Sequence, residues 1–160
     1  MKMRMICLLF ILLIPGSLFA YDQADFDRIV DFSLTLKELN QLPAAEIPAF
    51  MARGKLLLLN GTVAGIRFID NSEENFQVAV ELVSGEWLGL EDVRSYRCTV
   101  LFRGSRFFPL FPRRAPRNPE QDFVSANDRI LVAASALDKI TTDGGEIIWL
   151  LEGLHVRRLR

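Results

Sequence analysis

The residues with the most evident chemical potential lie in one run. Arg94, Arg97, Arg103, Arg106, Arg113, Arg114 and Arg117 fall between Val93 and Pro119 without an acidic residue among them, and Phe107, Phe108 and Phe111 are interleaved with the later arginines. Guanidinium groups grip carboxylate and phosphate in bidentate fashion and stack on aromatic faces, so this pattern suits recognition of an anion. Pro109, Pro112, Pro116 and Pro119 remove donors and fix the backbone every few residues, which predicts an irregular connection over 103–119. A connection this long inside a compact domain is usually functional or disordered. The candidate contact residues are therefore Arg103, Arg106, Phe107, Phe108, Phe111, Arg113, Arg114 and Arg117. The competing reading has the phenylalanines plugging one end of the domain and the arginines lying along an acidic segment of the same chain.

Other reactive side chains are sparse. His155 is the single histidine, too few for a zinc site with no cysteine cluster to help. Cys98 alternates with Tyr96, Val100 and Phe102, which puts it on the inward side of a strand as an inert thiol. Asp70, Glu73 and Glu74 form an acidic stretch that lacks the alternation and closing bidentate glutamate of an EF-hand loop. Asn60-Gly61-Thr62 matches a glycosylation acceptor but lies within a predicted strand. No nucleophile elbow, zinc-protease helix, P-loop or dinucleotide fingerprint occurs, and neither a metal nor a cofactor is expected. A carboxylate pair for glycoside chemistry needs proximity only in space, so an oligosaccharide-binding or oligosaccharide-processing protein stands as an alternative to a non-enzymatic one.

The elements that must position these residues begin after residue 20. Lys2 and Arg4 precede an apolar run from Ile6 to Ile14, Pro15-Gly16 breaks it, and Leu18-Phe19-Ala20 reads as a cleavage site, so residues 1–20 are expected to be a signal peptide and the product exported, to a bacterial periplasm or an equivalent extracytoplasmic space. Removing them takes two basic residues and no acid, which moves the formal charge from −1 to −3 over 140 residues. That length is enough for one domain burying roughly 70% of its unfolded surface. On this charge, nucleic acid is not an expected partner.

Residues 21–54 read as a helical, acidic N-terminal segment that packs on the rest. Phe26, Ile29 and Val30 recur at helical spacing, Thr35 and Glu38 form a capping box, Pro48 opens a further helix and Gly54 ends it in the left-handed region. Strands follow. In KLLLLNGTVAGIRFID, from Lys55 to Asp70, the residues Leu57, Leu59, Gly61 and Val63 share one side, and after Gly65 the apolar side passes to Ile66 and Phe68 with Arg67 opposite. Such a change of phase at a glycine predicts a bulge or coil that lets one strand serve both halves of a closed barrel. Phe76, Val78, Val80 and Leu82 alternate cleanly, Tyr96 to Phe102 forms a third strand, Ile130 to Leu137 a fourth, and Thr142-Asp143-Gly144-Gly145 turns the chain into a last strand from Ile147 to Val156 with a further phase shift near Gly153.

The chain is thus mainly β: five strands, a coiled first strand with glycines, a long connection between the third and fourth, and a final hairpin. Over residues 55–160 this resembles the OB-fold, a five-stranded Greek-key barrel, and in arrangement the exported bacterial OB-fold proteins. It departs from the common form in having the proline-rich loop where a helix joins the third and fourth strands. The resemblance implies ligand binding across the second and third strands, between the first-to-second and fourth-to-fifth loops. Those loops carry Asp70, Glu73, Glu74, Asp143 and Glu146, and the outward side of the second strand carries Gln77, Ala79 and Glu81 with no aromatic platform, which argues against a phosphate backbone. The sequence therefore leads to a non-enzymatic binding or scaffold module that meets an anionic protein surface or envelope lipid head groups through the Arg/Phe/Pro loop. A purely structural component of an envelope complex is the remaining alternative.

Overall fold

The computed structural model describes residues 23–89, 92–114, 123–141 and 147–159. The N-terminal segment comprises α1 (Gln23–Ile29), a two-residue strand β1 (Val30–Asp31), α2 (Leu36–Asn40) and α3 (Ile47–Arg53). The barrel is made of β2 (Leu56–Asp70), β3 (Gln77–Trp87), β4 (Val93–Arg103), β5 (Arg129–Thr141) and β6 (Ile147–Arg158). The proposed signal peptide lies outside the described residues.

Closure depends on β2. Its first half pairs antiparallel with β5, from Leu56 opposite Ser135 to Thr62 opposite Arg129, and its second half pairs with β3, from Thr62 opposite Val83 to Asp70 opposite Gln77. The register slips between Val63 and Gly65, where the alternation of the sequence changes phase. Antiparallel β3–β4 and β5–β6 pairs and a parallel β4–β6 pair complete the circuit, so the expected five-stranded OB-like barrel is the observed one. The inward side chains are those that the alternation marks: Leu57, Leu59, Val63, Phe76, Val78, Val80, Leu82, Cys98 and Val100 are all fully buried. Burial pushes the Cys98 thiol up to about 12, in keeping with an unreactive position.

Two glycines let the core close. A Cβ on Gly61 would lie 2.8 Å from the Leu82 side chain and 2.9 Å from the Val83 carbonyl. A Cβ on Gly153 would lie 2.2 Å from the Phe102 ring, its cross-strand partner. A shift in β5–β6 register, with Leu154 left over between Gly153 and His155, accompanies the second.

The helical segment caps one end of the barrel. Thr35 and Glu38 form the capping box of α2, which buries Leu36 and Leu39, and the Trp149 indole N–H donates to the Leu39 carbonyl at 2.8 Å. Phe50 of α3 meets Trp149 edge-on with 5.4 Å between ring centres, and Gly54 ends α3 with φ of 60°. On the outer side Lys37 donates to Glu86 at 2.6 Å and the Tyr96 hydroxyl donates to the same carboxylate at 2.8 Å, tying α2 to the β3–β4 hairpin. The segment departs from expectation at its start. Phe26 and Ile29 of α1 are exposed, because α1 is followed at once by β1, which runs along the edge of β2 and leaves the helix beside the barrel rather than on it.

The connection after β4 is more regular than its prolines suggest. Ser105–Leu110 forms a 3-10 turn with Pro109 inside it. The Phe107 N–H donates to the Gly104 carbonyl at 3.1 Å to start the turn, and Pro109 forgoes a single i→i−3 bond near its end.

Candidate nucleic-acid interface

The predicted contact loop is largely folded into the barrel. Phe107 is 3% exposed and Phe111 1%, and both pack on Phe102, with ring centres 5.0 and 5.2 Å away. Phe108 is partly buried, edge-on to Phe76 at 5.5 Å. Arg106 lies over Phe107 at 4.6 Å and Arg113 over Phe68 at 5.5 Å, while Arg103 pairs with Glu152 of β6 at 3.3 Å. Arg114 is exposed, and Arg117 lies outside the described residues. The phenylalanines are thus the plug of one barrel end. The arginines do not lie along the acidic segment: among the described residues none of them forms an ion pair with residues 23–46.

A different set of residues converges on the outer face of β2, β3, β4 and β6. Strand pairing aligns Arg67, Ala79, Leu101 and Glu152 in one cross-strand row and Gly65, Glu81, Thr99 and Leu150 in the next. The small side chains in the middle, Ala79 and Thr99, leave a depression whose walls are the longer residues around them. One stretch of it, about 330 Å³, is lined by Gly65, Ile66, Arg67, Ala79, Glu81 and Thr99. An adjoining stretch, about 260 Å³, shares Arg67, Ala79 and Thr99 and runs on past Ile69, Leu101 and Leu150 to Ile140 and Ile148 of the last hairpin. Ala79 and Leu101 are only 6% and 7% exposed although they face away from the core, so they form the floor of this groove. Ile140, 58% exposed, stands at its rim.

The electrostatics of the groove centre on Arg67. It is exposed, and among the described residues no carboxylate or hydrogen-bond acceptor holds it. Arg97 stands to one side of the groove, 3.6 Å from Glu81, and Arg103 to the other, 3.3 Å from Glu152. Both pairs are roughly 40% exposed, where an ion pair is weak and an incoming anion competes for the guanidinium. The acidic stretch after β2 is partly occupied with itself: the Asp70 carboxylate accepts from the Ser72 amide at 2.8 Å and hydroxyl at 2.7 Å, bonds that hold it below the usual carboxylate range.

No protein-family model matches the chain, and no curated protein matches it by sequence. Solved structures do match, in fold. They include a small single-stranded DNA-binding protein from Streptomyces coelicolor (10% identity, TM-score 0.40, covering 66% of this chain and 93% of that one). A Plasmodium falciparum SSB in complex with single-stranded DNA (14%, 0.41, 66% and 94%) and a mitochondrial single-stranded DNA-binding protein from S. cerevisiae (12%, 0.39, 67% and 96%) are similar to the same extent. The fold they share with this chain is the OB barrel.

The geometry revises two expectations and leaves a third without support. The anionic protein or lipid partner was drawn from the Arg/Phe loop, but Phe107 and Phe111 are core and Phe108 is partly buried against it, so the loop's aromatic side chains are spent on the barrel itself. The exclusion of nucleic acid weighed the acidic loops and the outward side of the second strand, and left out Arg67, Arg97 and Arg103, which the barrel brings to that same face. The expectation of export has no support in the structure, since residues 1–20, on which it rested, lie outside the described residues. The oligosaccharide and purely structural alternatives gain nothing from the geometry. Arg67 was legible as an outward residue opposite Phe68, and a search for arginines at outward positions of adjacent strands would have found the face. Ile140 and Ile148 carry no such signal, because only the curl of the last hairpin brings them to the groove.

Proposed function

We propose that this protein binds single-stranded nucleic acid along the outer groove of β2, β3, β4 and β6. The observation that carries the reading is Arg67, a guanidinium that no partner holds among the described residues, at the centre of a concave, apolar-floored face and flanked by two further arginines whose ion pairs are exposed. A cation so placed is stabilised by an anion that brings its own hydrophobic surface. A phosphate attached to a flat base has that chemistry: the phosphate meets Arg67 and the base lies on Ala79, Leu101 and the isoleucines. Such a surface reads no sequence through its phosphate contacts, and it excludes a duplex, whose bases are not free to lie on the floor.

Fluorescence anisotropy with a labelled oligonucleotide of about twelve nucleotides tests it. With up to three phosphates neutralised, the logarithm of the binding constant falls against the logarithm of salt concentration with a slope of about −2, at about 0.7 per phosphate. Arg67→Ala is expected to weaken binding about tenfold and to reduce the slope by about 0.7, with an unchanged thermal melt. Absence of binding at low salt, or an Arg67→Ala variant with wild-type affinity and slope, overturns the reading.

A further inference from the structure

The same groove holds a feature that a plain phosphate-and-stacking surface would not need. Glu81 lies beside Arg67 on its floor, one cross-strand row away, which is about 7 Å along the strands. One carboxylate oxygen, Oε1, faces Arg97 at 3.6 Å. The other, Oε2, turns toward β2, 3.8 Å from where a Cβ on Gly65 would stand. Because Gly65 has no side chain, that oxygen is open to the groove, and among the described residues no donor is bonded to it. A carboxylate accepts and cannot donate.

Resting on the proposed reading of this groove, we infer that Glu81 selects among bases, favouring those with an exocyclic amino group over those with a carbonyl in its place. With the phosphate on Arg67 and the base on Ala79 and Leu101, the base edge reaches Glu81. The 4-amino group of cytosine, like the 6-amino group of adenine, donates to Oε2. Uracil and thymine put an oxygen at the corresponding position and set two acceptors against each other. Thr99, in the same row as Glu81, offers a hydroxyl that serves either base and so adds no discrimination. The net effect is a single-strand binder that discriminates against pyrimidines carrying a 4-oxo group.

The test compares labelled oligo(dC) and oligo(dU) of about twelve nucleotides, which differ at this edge and not in size, on the wild-type chain and on Glu81→Gln. One charge-assisted hydrogen bond corresponds to about a tenfold preference for oligo(dC) in the wild type. In Glu81→Gln the amide donates to a carbonyl as readily as it accepts from an amine, and the ratio is expected to fall to about twofold or less. Losing a negative charge raises affinity for both oligonucleotides, so the ratio is the readout. If neither oligonucleotide binds the wild type, the nucleic-acid reading fails with the inference. If both bind equally, or oligo(dU) binds better, or Glu81→Gln keeps the wild-type ratio, the selection by Glu81 fails while the reading of the groove stands.

Discussion

Replacing Gly153 by alanine tests the packing on which the barrel end depends. The added methyl would stand 2.2 and 2.4 Å from two carbons of the Phe102 ring and 2.9 Å from a third, where ordinary contacts begin near 3.4 Å. The ring has no room to retreat, since Phe107 and Phe111 back it at 5.0 and 5.2 Å. Overpacking of this kind costs about 1–3 kcal/mol. Alanine restricts the unfolded chain more than glycine does and returns about 0.4–1 kcal/mol, since Gly153 is not held in the left-handed region. The net loss is about 1.3 kcal/mol, and at about 2–4 °C per kcal/mol for a chain of this size the melting temperature falls by about 3–5 °C. Thermal unfolding followed by far-ultraviolet circular dichroism measures it. Phe102→Leu in the same chain should recover part of the loss, giving a coupling of about 1 kcal/mol in a double-mutant cycle. Gly65→Ala is the control, because its methyl would meet only Glu81 Oε2, at 3.8 Å, and should leave the melt unchanged or slightly higher. A Gly153→Ala variant that melts with the wild type, or no coupling to Phe102, would refute the argument.

Phe107→Ala should destabilise the chain by about 3–5 kcal/mol, as removal of a buried core aromatic does; a loss below about 1 kcal/mol in urea unfolding would show that the 3-10 turn is not part of the core. The tie between α2 and the β3–β4 hairpin has a pH signature. Hydrogen bonds from Lys37 and then Tyr96 hold Glu86 below the usual glutamate range, so its contribution is complete above its unfolded pKa and is lost as pH falls through the lower, folded one. The gap in melting temperature between wild type and Glu86→Gln should therefore be open at neutral pH and close in acid below the usual glutamate range; a gap independent of pH would refute the assignment. Lys37, raised by the same contact, keeps its contribution up to its unfolded pKa and loses it as pH rises through the higher, folded one, so the wild type should weaken relative to Lys37→Met only in strong alkali.

The outcome at the loop shows where reading the chain by local pattern stops. The types of Phe107, Phe108 and Phe111 and their mixture with arginine suit a contact surface and a plug equally, because nothing local says whether a partner or the protein itself supplies the apolar surroundings. The space that admits Phe102, and behind it Phe107 and Phe111, is opened by Gly153, far along the chain and adjacent only through the parallel β4–β6 pairing. The same limit applies to the acidic residues after β2. Counted along the chain they repel phosphate, while in space Asp70 is bound to Ser72 and Arg67, earlier on the same strand, is an exposed cation of the groove.

What the sequence determined alone was everything with a short period: the alternation of β3, the phase change at Gly65, the capping box at Thr35, the left-handed stop at Gly54 and, from their order, a five-stranded barrel. Backbone geometry fixes each of these within a few residues, so neighbours in the chain suffice to read them. What only the tertiary structure decided was which outward positions meet. Arg67, Glu81, Arg97 and Leu101 belong to three strands, and Ile140 and Ile148 to a fourth and fifth. Their convergence follows from register and coil, and a slip of one residue in any pair would carry a strand's side chains to the opposite face.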